Sequence, residues 1–272
     1  MPHLFLQLAS ILVLATFLGI IARLFKQPLI LAYIFSGIII SLTGFFKTVD
    51  ATLLNMLSNF GIAFLLFLVG VEMKFEDLKS VGRAAIYTGL GQIIFTAAVG
   101  FVIIAALGFS TVASIYMAVA LTFSSTVIIV KLLSEKNDLN SLYGKIAVGF
   151  LLVQDFVAII ALMVLSGFGA GKTPNIYDFA MIFVKGAGMV LVAFLSTRYL
   201  LKNLFKVVST NVELLFVAAI AWAFLFSAIA EQIGFSIAIG AFLAGLSIAS
   251  SPYRLQISAR IKPLRDFFII IF

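Results

Sequence analysis

Long apolar blocks, each close to a membrane's thickness when helical, alternate along this chain with short charged connections. Crossing roughly 30 Å of hydrocarbon takes a helix of about 20 mostly apolar residues. Nine segments are long or apolar enough: 4–22, 28–46, 52–71, 84–109, 112–133, 146–168, 176–201, 212–230 and 235–250. Lipid offers no partner to a backbone N–H or C=O, so segments of this kind fold as helices. The expected fold is therefore all-α, a polytopic helical bundle whose immediate partner is the lipid bilayer. The first segment could be mistaken for a signal peptide. It lacks a basic start, is followed by Arg23 and Lys26, and runs straight into another span, so it is expected to remain in the mature protein.

Composition narrows the function. The chain is 63% hydrophobic and 11% charged, against about 25% charged in soluble domains. That excludes an ordinary soluble enzyme, a disordered chain and a nucleic-acid-binding arm, and no nucleic-acid partner is expected. There is no cysteine, and the one histidine is His3, so disulfides, thiol nucleophiles, histidine zinc sites and histidine triads are all out of reach. No glycine-rich phosphate loop or dinucleotide motif is present. Neither a cofactor nor an enzymatic activity is expected.

The net charge of +7 reads as orientation. With nine spans, all 18 Lys and Arg residues except Lys47, Lys172 and Lys185 fall on the side reached after odd-numbered spans. Basic residues are retained in the cytoplasm, which puts the N-terminus outside. A multi-pass protein of the cell membrane is expected, the inner membrane in a bacterium. A tenth apolar segment begins after Arg265, yet the sequence stops at Phe272. The residues from Pro263 onward would cover only about 15 Å of the bilayer as a helix. A short interfacial helix is the alternative, but Phe-Phe-Ile-Ile-Ile-Phe has no polar face to keep in water. Residues 1–272 are accordingly expected to be one transmembrane domain, the N-terminal fragment of a longer transporter.

Ten of the eleven acids fit at span ends or in loops; the exception is Asp155, about ten residues into 146–168, with Gln154 beside it. A charge at that depth costs about 2.5–3.5 kcal/mol on insertion scales, and such residues face polar cavities and handle ions or protons. The alternative is a neutral carboxyl hydrogen-bonded to a neighbouring helix. The preceding span carries Thr122-Phe123-Ser124-Ser125-Thr126 at similar depth. Four hydroxyls within five residues suit a local break whose carbonyls and hydroxyls can ligate a cation, although plain packing through small residues would produce them too. Other features carry less. Lys185 is expected to snorkel to the outer interface, with Asp178 on its face. Glu72 is expected to pair with Arg83 or Lys74. The stretch Gly234 to Gly245 spaces small residues for close helix packing.

Five stretches together resemble a known family: Gln27-Pro28 through Gly37, Phe67 through Glu72, Ser124-Ser125-Thr126-Val127, Val153-Gln154-Asp155, and Gly240 through Gly245. In this order and spacing they resemble the N-terminal membrane domain of monovalent cation:proton antiporters, in the branch of Kef-type potassium efflux systems. The resemblance covers nearly the whole chain. It departs at Ser41-Leu42, where relatives often carry Gly-Pro. The resemblance implies a sodium/proton-antiporter-like inverted-repeat fold, incomplete here, in a homodimer whose core slides against a fixed dimerisation domain. It implies that K+ or Na+ and H+ compete for Asp155, near Gln154, Thr122, Ser124, Ser125 and Thr126. A second crossing helix and any cytosolic nucleotide-binding domain would lie beyond Phe272. A cation channel would use the same acid and hydroxyls to line a pore. An intramembrane aspartyl protease would need a second carboxylate sharing the site with Asp155.

Overall fold

A computed structural model describes residues 4–42, 51–73, 75–169 and 176–272, and among them there are helices and no strands. The helices are α1 (Leu4–Leu24), α2 (Leu29–Leu42), α3 (Ala51–Glu72), α4 (Phe75–Ala106), α5 (Thr111–Ala120), α6 (Thr126–Glu135) and α7 (Leu142–Gly169). They continue with α8 (Ile176–Leu195), a π turn (Ser196–Leu200), α9 (Leu201–Val208), α10 (Val212–Gln232), α11 (Ile237–Ile248) and α12 (Arg254–Ile271). Five stretches of described helix are long and apolar enough to cross a membrane: Leu6–Leu24, Leu54–Glu72, Val81–Ala106, Ala180–Val208 and Val212–Gln232. Several sequence expectations fall outside the description. Lys47, Asp50, Lys74 and Lys172 are among them, as are the side chains of Glu76, Asp77 and Asp178.

Local chemistry sets the helix ends. Lys26 takes a left-handed φ of 54°, which lets the N–H of Gln27 reach Ala22 O at 2.8 Å and closes α1 just before Pro28. Gly234, with φ 92°, closes α10 in the same way, the N–H of Phe235 bonding Ala230 O at 2.8 Å. Ser110, Asn211 and Ser236 cap α5, α10 and α11 through side-chain oxygens.

Packing gathers the helices into two groups. In the first, α3 lies against α11 and α12, and α10 lies against α11. Residues Ala63–Val69 of α3 and Gly240–Ile248 of α11 are buried on every side, the pattern of helices inside a bundle rather than at its surface. The glycine stripe makes this possible. A Cβ on Gly245 would overlap the Phe67 carbonyl, and one on Gly70 would overlap the Phe242 carbonyl. Gly240 sits as tightly on Phe226 of α10, while Gly61 of α3 takes the backbone of Phe268 from α12. Trp222 donates to Ser247 Oγ at 2.9 Å, tying α10 to α11. Phe60 stacks on Phe224 at 5.1 Å and meets Phe268 edge-on at 5.7 Å.

The second group holds α4 against α5 and α7, with Gly89 under Val153 and Gly149 under Ala85. Between the two groups runs α6, touching α2, α3 and α7. Outward faces of α4 and α8 leave Ile94, Phe95, Val102, Phe183 and Val184 exposed, as lipid-facing surfaces require.

Several helices run beyond the apolar segments; α4 begins at Phe75, nine residues before the expected span. The run 176–201 continues through the π turn into α9, where Leu201, Phe205 and Val208 are buried and Lys202 and Lys206 exposed. That three-to-four spacing makes α9 amphipathic and extends the helix past the apolar block. The tenth segment does not begin after Arg265. It is the second half of an 18-residue helix starting at Arg254, with Pro263 inside it.

Because backbone atoms face Gly245 directly, Gly245→Val has no rotamer that relieves the overlap, and overpacking costs typically about 1–3 kcal/mol. Melting of purified variants in mild detergent should show a lower Tm or no folded protein for Gly245→Val. Gly37→Ala, where nothing lies within 4 Å of the added carbon, should melt as the parent does.

Candidate functional site

The apolar run 112–133 is interrupted at its centre. Helix α5 ends at Ala120, Leu121 and Thr122 form a turn, and residues 123–125 belong to no regular element before α6 begins at Thr126. The hydroxyl of Thr122 donates to Val119 O at 2.7 Å, and its N–H bonds the same carbonyl at 3.1 Å. Ser125 is extended (φ −72°, ψ 105°) and accepts from the Ile128 N–H at 3.4 Å, capping α6. Hydroxyl side chains compete with helical hydrogen bonds in this way, so the polar run closes one helix and opens the next.

An interruption inside a bundle leaves backbone groups to be satisfied, and two glutamines satisfy the Thr122 carbonyl and the Ser124 N–H. Gln154 of α7 donates to Thr122 O at 3.2 Å, and its Oε1 accepts from the Ser124 N–H at 3.4 Å. Gln92 of α4 donates to the same Thr122 O at 3.1 Å and to Thr96 Oγ1 at 3.1 Å, while its own Oε1 accepts from Gln154 Nε2. Thr122 and Gln154 are almost fully buried, at 1% and 2% exposure. Gln92 went unremarked in the sequence, where its one signal was an amide inside an apolar span.

Beside this clamp, the Thr126 hydroxyl donates to Asp155 Oδ1 at 3.3 Å. Asp155 and Thr126 are half-buried, whereas Ser124 and Ser125 are exposed. The carboxylate thus meets the first turn of α6, the end where unsatisfied N–H groups give a helix its partial positive charge. Of the four hydroxyls expected around Asp155, only that of Thr126 bonds it. Thr122 bonds back to the end of α5 and Ser125 caps the start of α6, while Ser124 contributes its backbone N–H. The site joins a carboxyl group, a hydroxyl and an interrupted backbone.

Charge also gathers at the far end of α6. Lys131, one of the basic residues assigned to the cytoplasmic side, lies within α6, 6% exposed, 3.3 Å from Asp266 of α12 and 3.7 Å from Glu135. Arg265, also buried, bonds Asp266 at 2.9 Å and donates to Ser134 Oγ at 3.3 Å. Salt bridges inside α6 and across to α12 thereby offset the burial of two cations. Glu72 pairs with Lys262 of α12 at 3.3 Å; of the partners expected for it, Lys74 lies outside the described residues. Lys185 is exposed and donates to Ile233 O at 3.2 Å, at the C-terminal end of α10, where a cation complements the helix dipole.

Comparison with known proteins agrees with this architecture. The family model described as sodium/hydrogen exchanger, transmembrane, matches residues 11–272. The chain belongs to that family of multi-pass membrane transporters. Among curated relatives, K(+) efflux antiporter 5 of Arabidopsis thaliana is 29% identical over 98% of this chain and 48% of its own length. K(+) efflux antiporter 4 of the same plant is 28% identical over 98% of this chain and 46% of its own length. These relatives support the Kef-type branch of monovalent cation:proton antiporters. An iron transporter, MagA, of Paramagnetospirillum magneticum is 28% identical over 98% of this chain and 62% of its own length. The chain spans about half the length of the curated potassium antiporters it matches.

The glutamine clamp has a measurable weight. Gln92→Leu removes one donor from the Thr122 carbonyl and the acceptor from Gln154, and an unsatisfied buried group costs about 1–3 kcal/mol. A clear fall in Tm is expected in detergent. Thr16→Ala, which removes an exposed hydroxyl bonded to its own helix, should stay within about 0.5 kcal/mol of the parent.

Proposed function

We propose that the protein is a secondary active antiporter exchanging a monovalent cation, K+ or Na+, for H+ through Asp155 by alternating access. The contact between Thr126 and Asp155, at the first turn of a helix that starts in mid-span, is the observation that carries this reading. A carboxylate inside a membrane is stable when protonated or when a cation sits against it, so the two compete for one group. The break supplies backbone and hydroxyl oxygens that can replace a cation's water, and the glutamine clamp keeps their positions fixed. Names of the relatives favour K+ as the cation. The iron transporter raises a divalent reading, but one carboxylate among neutral oxygens balances a single positive charge.

Alternating access would move the group of α4, α5 and α7 against the group of α3, α10, α11 and α12, with α6 between them. The latter group would supply the face on which a second protomer docks.

Asp155→Asn should abolish cation-driven dequenching of a pH-sensitive dye in everted vesicles while leaving the protein present at its normal level. Thr126→Ala retains the charge and loses one hydrogen bond to it, worth about 1.5–3 kcal/mol. Its half-saturating cation concentration should therefore rise roughly tenfold or more, with turnover retained. Exchange by Asp155→Asn at the parental rate would refute the assignment.

A further inference from the structure

A polar cavity of about 560 Å³ opens between the end of α3, the turn joining α6 to α7, and α12. It lies on the side to which the basic bias assigns the cytoplasm, away from Asp155, which does not line it. Among the described residues, three cationic side chains, Arg254, Lys262 and Arg265, line it against one carboxylate, Glu72. Pairing within the protein uses up most of that charge. Lys262 neutralises Glu72, and Arg265 is engaged by Asp266 and Ser134. Arg254 has no carboxylate partner among the described residues, and its single hydrogen bond there is a long one, 3.5 Å, to Ala249 O.

Neutral donors line the opposite wall, where Asn137 and Asn140 contribute. Asn137 is fixed there by the turn that ends α6. Its φ is 58°, its N–H bonds Ser134 O at 3.1 Å, and the next N–H, of Asp138, bonds Leu133 O at 2.9 Å. A half-buried guanidinium in excess, facing amide groups across a space of small-molecule size, repels cations and suits an oxyanion. Arginine in particular presents a planar fork that matches two phosphate oxygens.

We propose that this cavity binds a phosphate-type oxyanion, held by Arg254 from α12 and by the amides of Asn137 and Asn140 from the α6–α7 turn. The chemistry is the same whether the phosphate belongs to a soluble molecule or to an anionic lipid headgroup. An occupant touching both walls clamps α12 to the end of α6 and stabilises the arrangement seen here over any in which those elements separate. The proposal goes beyond the exchange reading and does not need it, because binding is read without flux.

The test uses the protein as its own cell makes it, purified in mild detergent, with melting followed by fluorescence. Inorganic phosphate is titrated against potassium chloride at matched ionic strength, and phosphatidylglycerol against phosphatidylcholine in mixed micelles. The expected result is a saturable rise in Tm with phosphate or with phosphatidylglycerol. In Arg254→Gln the apparent affinity should weaken about tenfold or more. A rise with phosphate identifies a soluble ligand, and a rise with phosphatidylglycerol alone identifies the headgroup. Asn140→Ala, at an exposed position, carries the same comparison should Arg254→Gln fail to fold. No saturable rise with either probe, or an equal rise in the parent and the folded variants, would overturn the proposal.

Discussion

A helix interrupted inside a bundle leaves amide and carbonyl groups that hydrocarbon does not satisfy, at several kcal/mol each in lipid. In this protein that constraint falls on Thr122 to Thr126, and the rest of the arrangement follows from how it is met. Two glutamine side chains from different helices converge on the Thr122 carbonyl, and one of them also accepts from the Ser124 N–H. To deliver those amides, α4 and α7 must lie closely side by side, which Gly89 and Gly149 allow. The same register that brings Gln154 to the break brings Asp155, its neighbour in sequence, to Thr126. Satisfying the backbone and positioning the charge are one structural problem with one solution.

The two helix groups are held by different forces. Small residues let α3, α10, α11 and α12 approach until backbone meets backbone, and dispersion then holds a closely packed block. Helix α6 touches that block through charge as well, from Lys131 to Asp266 and from Arg265 to Ser134. Its first turn meets Asp155 while its last turns meet α12. In the proposed exchange, a change of ligand at Asp155 therefore acts on a helix whose far end is tied to the other group by contacts that can break and re-form.

Features written in local chemistry were legible in the sequence. Clustered hydroxyls both announced and made the break between α5 and α6. The glycine spacing of 240–245 foretold the close contacts with α3 and α10. Features that depend on tertiary partners were not legible. Gln92 is one amide in an apolar span, and nothing local shows that it shares a carbonyl with Gln154. A cation near the end of an apolar run normally marks its boundary, and nothing local shows that Asp266, distant in sequence, holds Lys131 buried within α6. The start of α12 was missed for the converse reason. Residues 254–262 are polar enough to read as a connection, yet Ile257 and Ile261, four residues apart, are buried on one face of a helix that packs on α3.

The central claim is that one carboxylate, with Gln154 neutral beside it, trades one monovalent cation for one proton. Equal charge then crosses in each direction. Currents recorded from proteoliposomes on a solid-supported membrane, alongside pH-dye measurement of proton movement on the same preparation, test this most directly. The account predicts proton flux driven by a K+ or Na+ gradient with no sustained transport current. A steady current accompanying that flux would contradict it, because a second titrating group would then have to share the work assigned to Asp155.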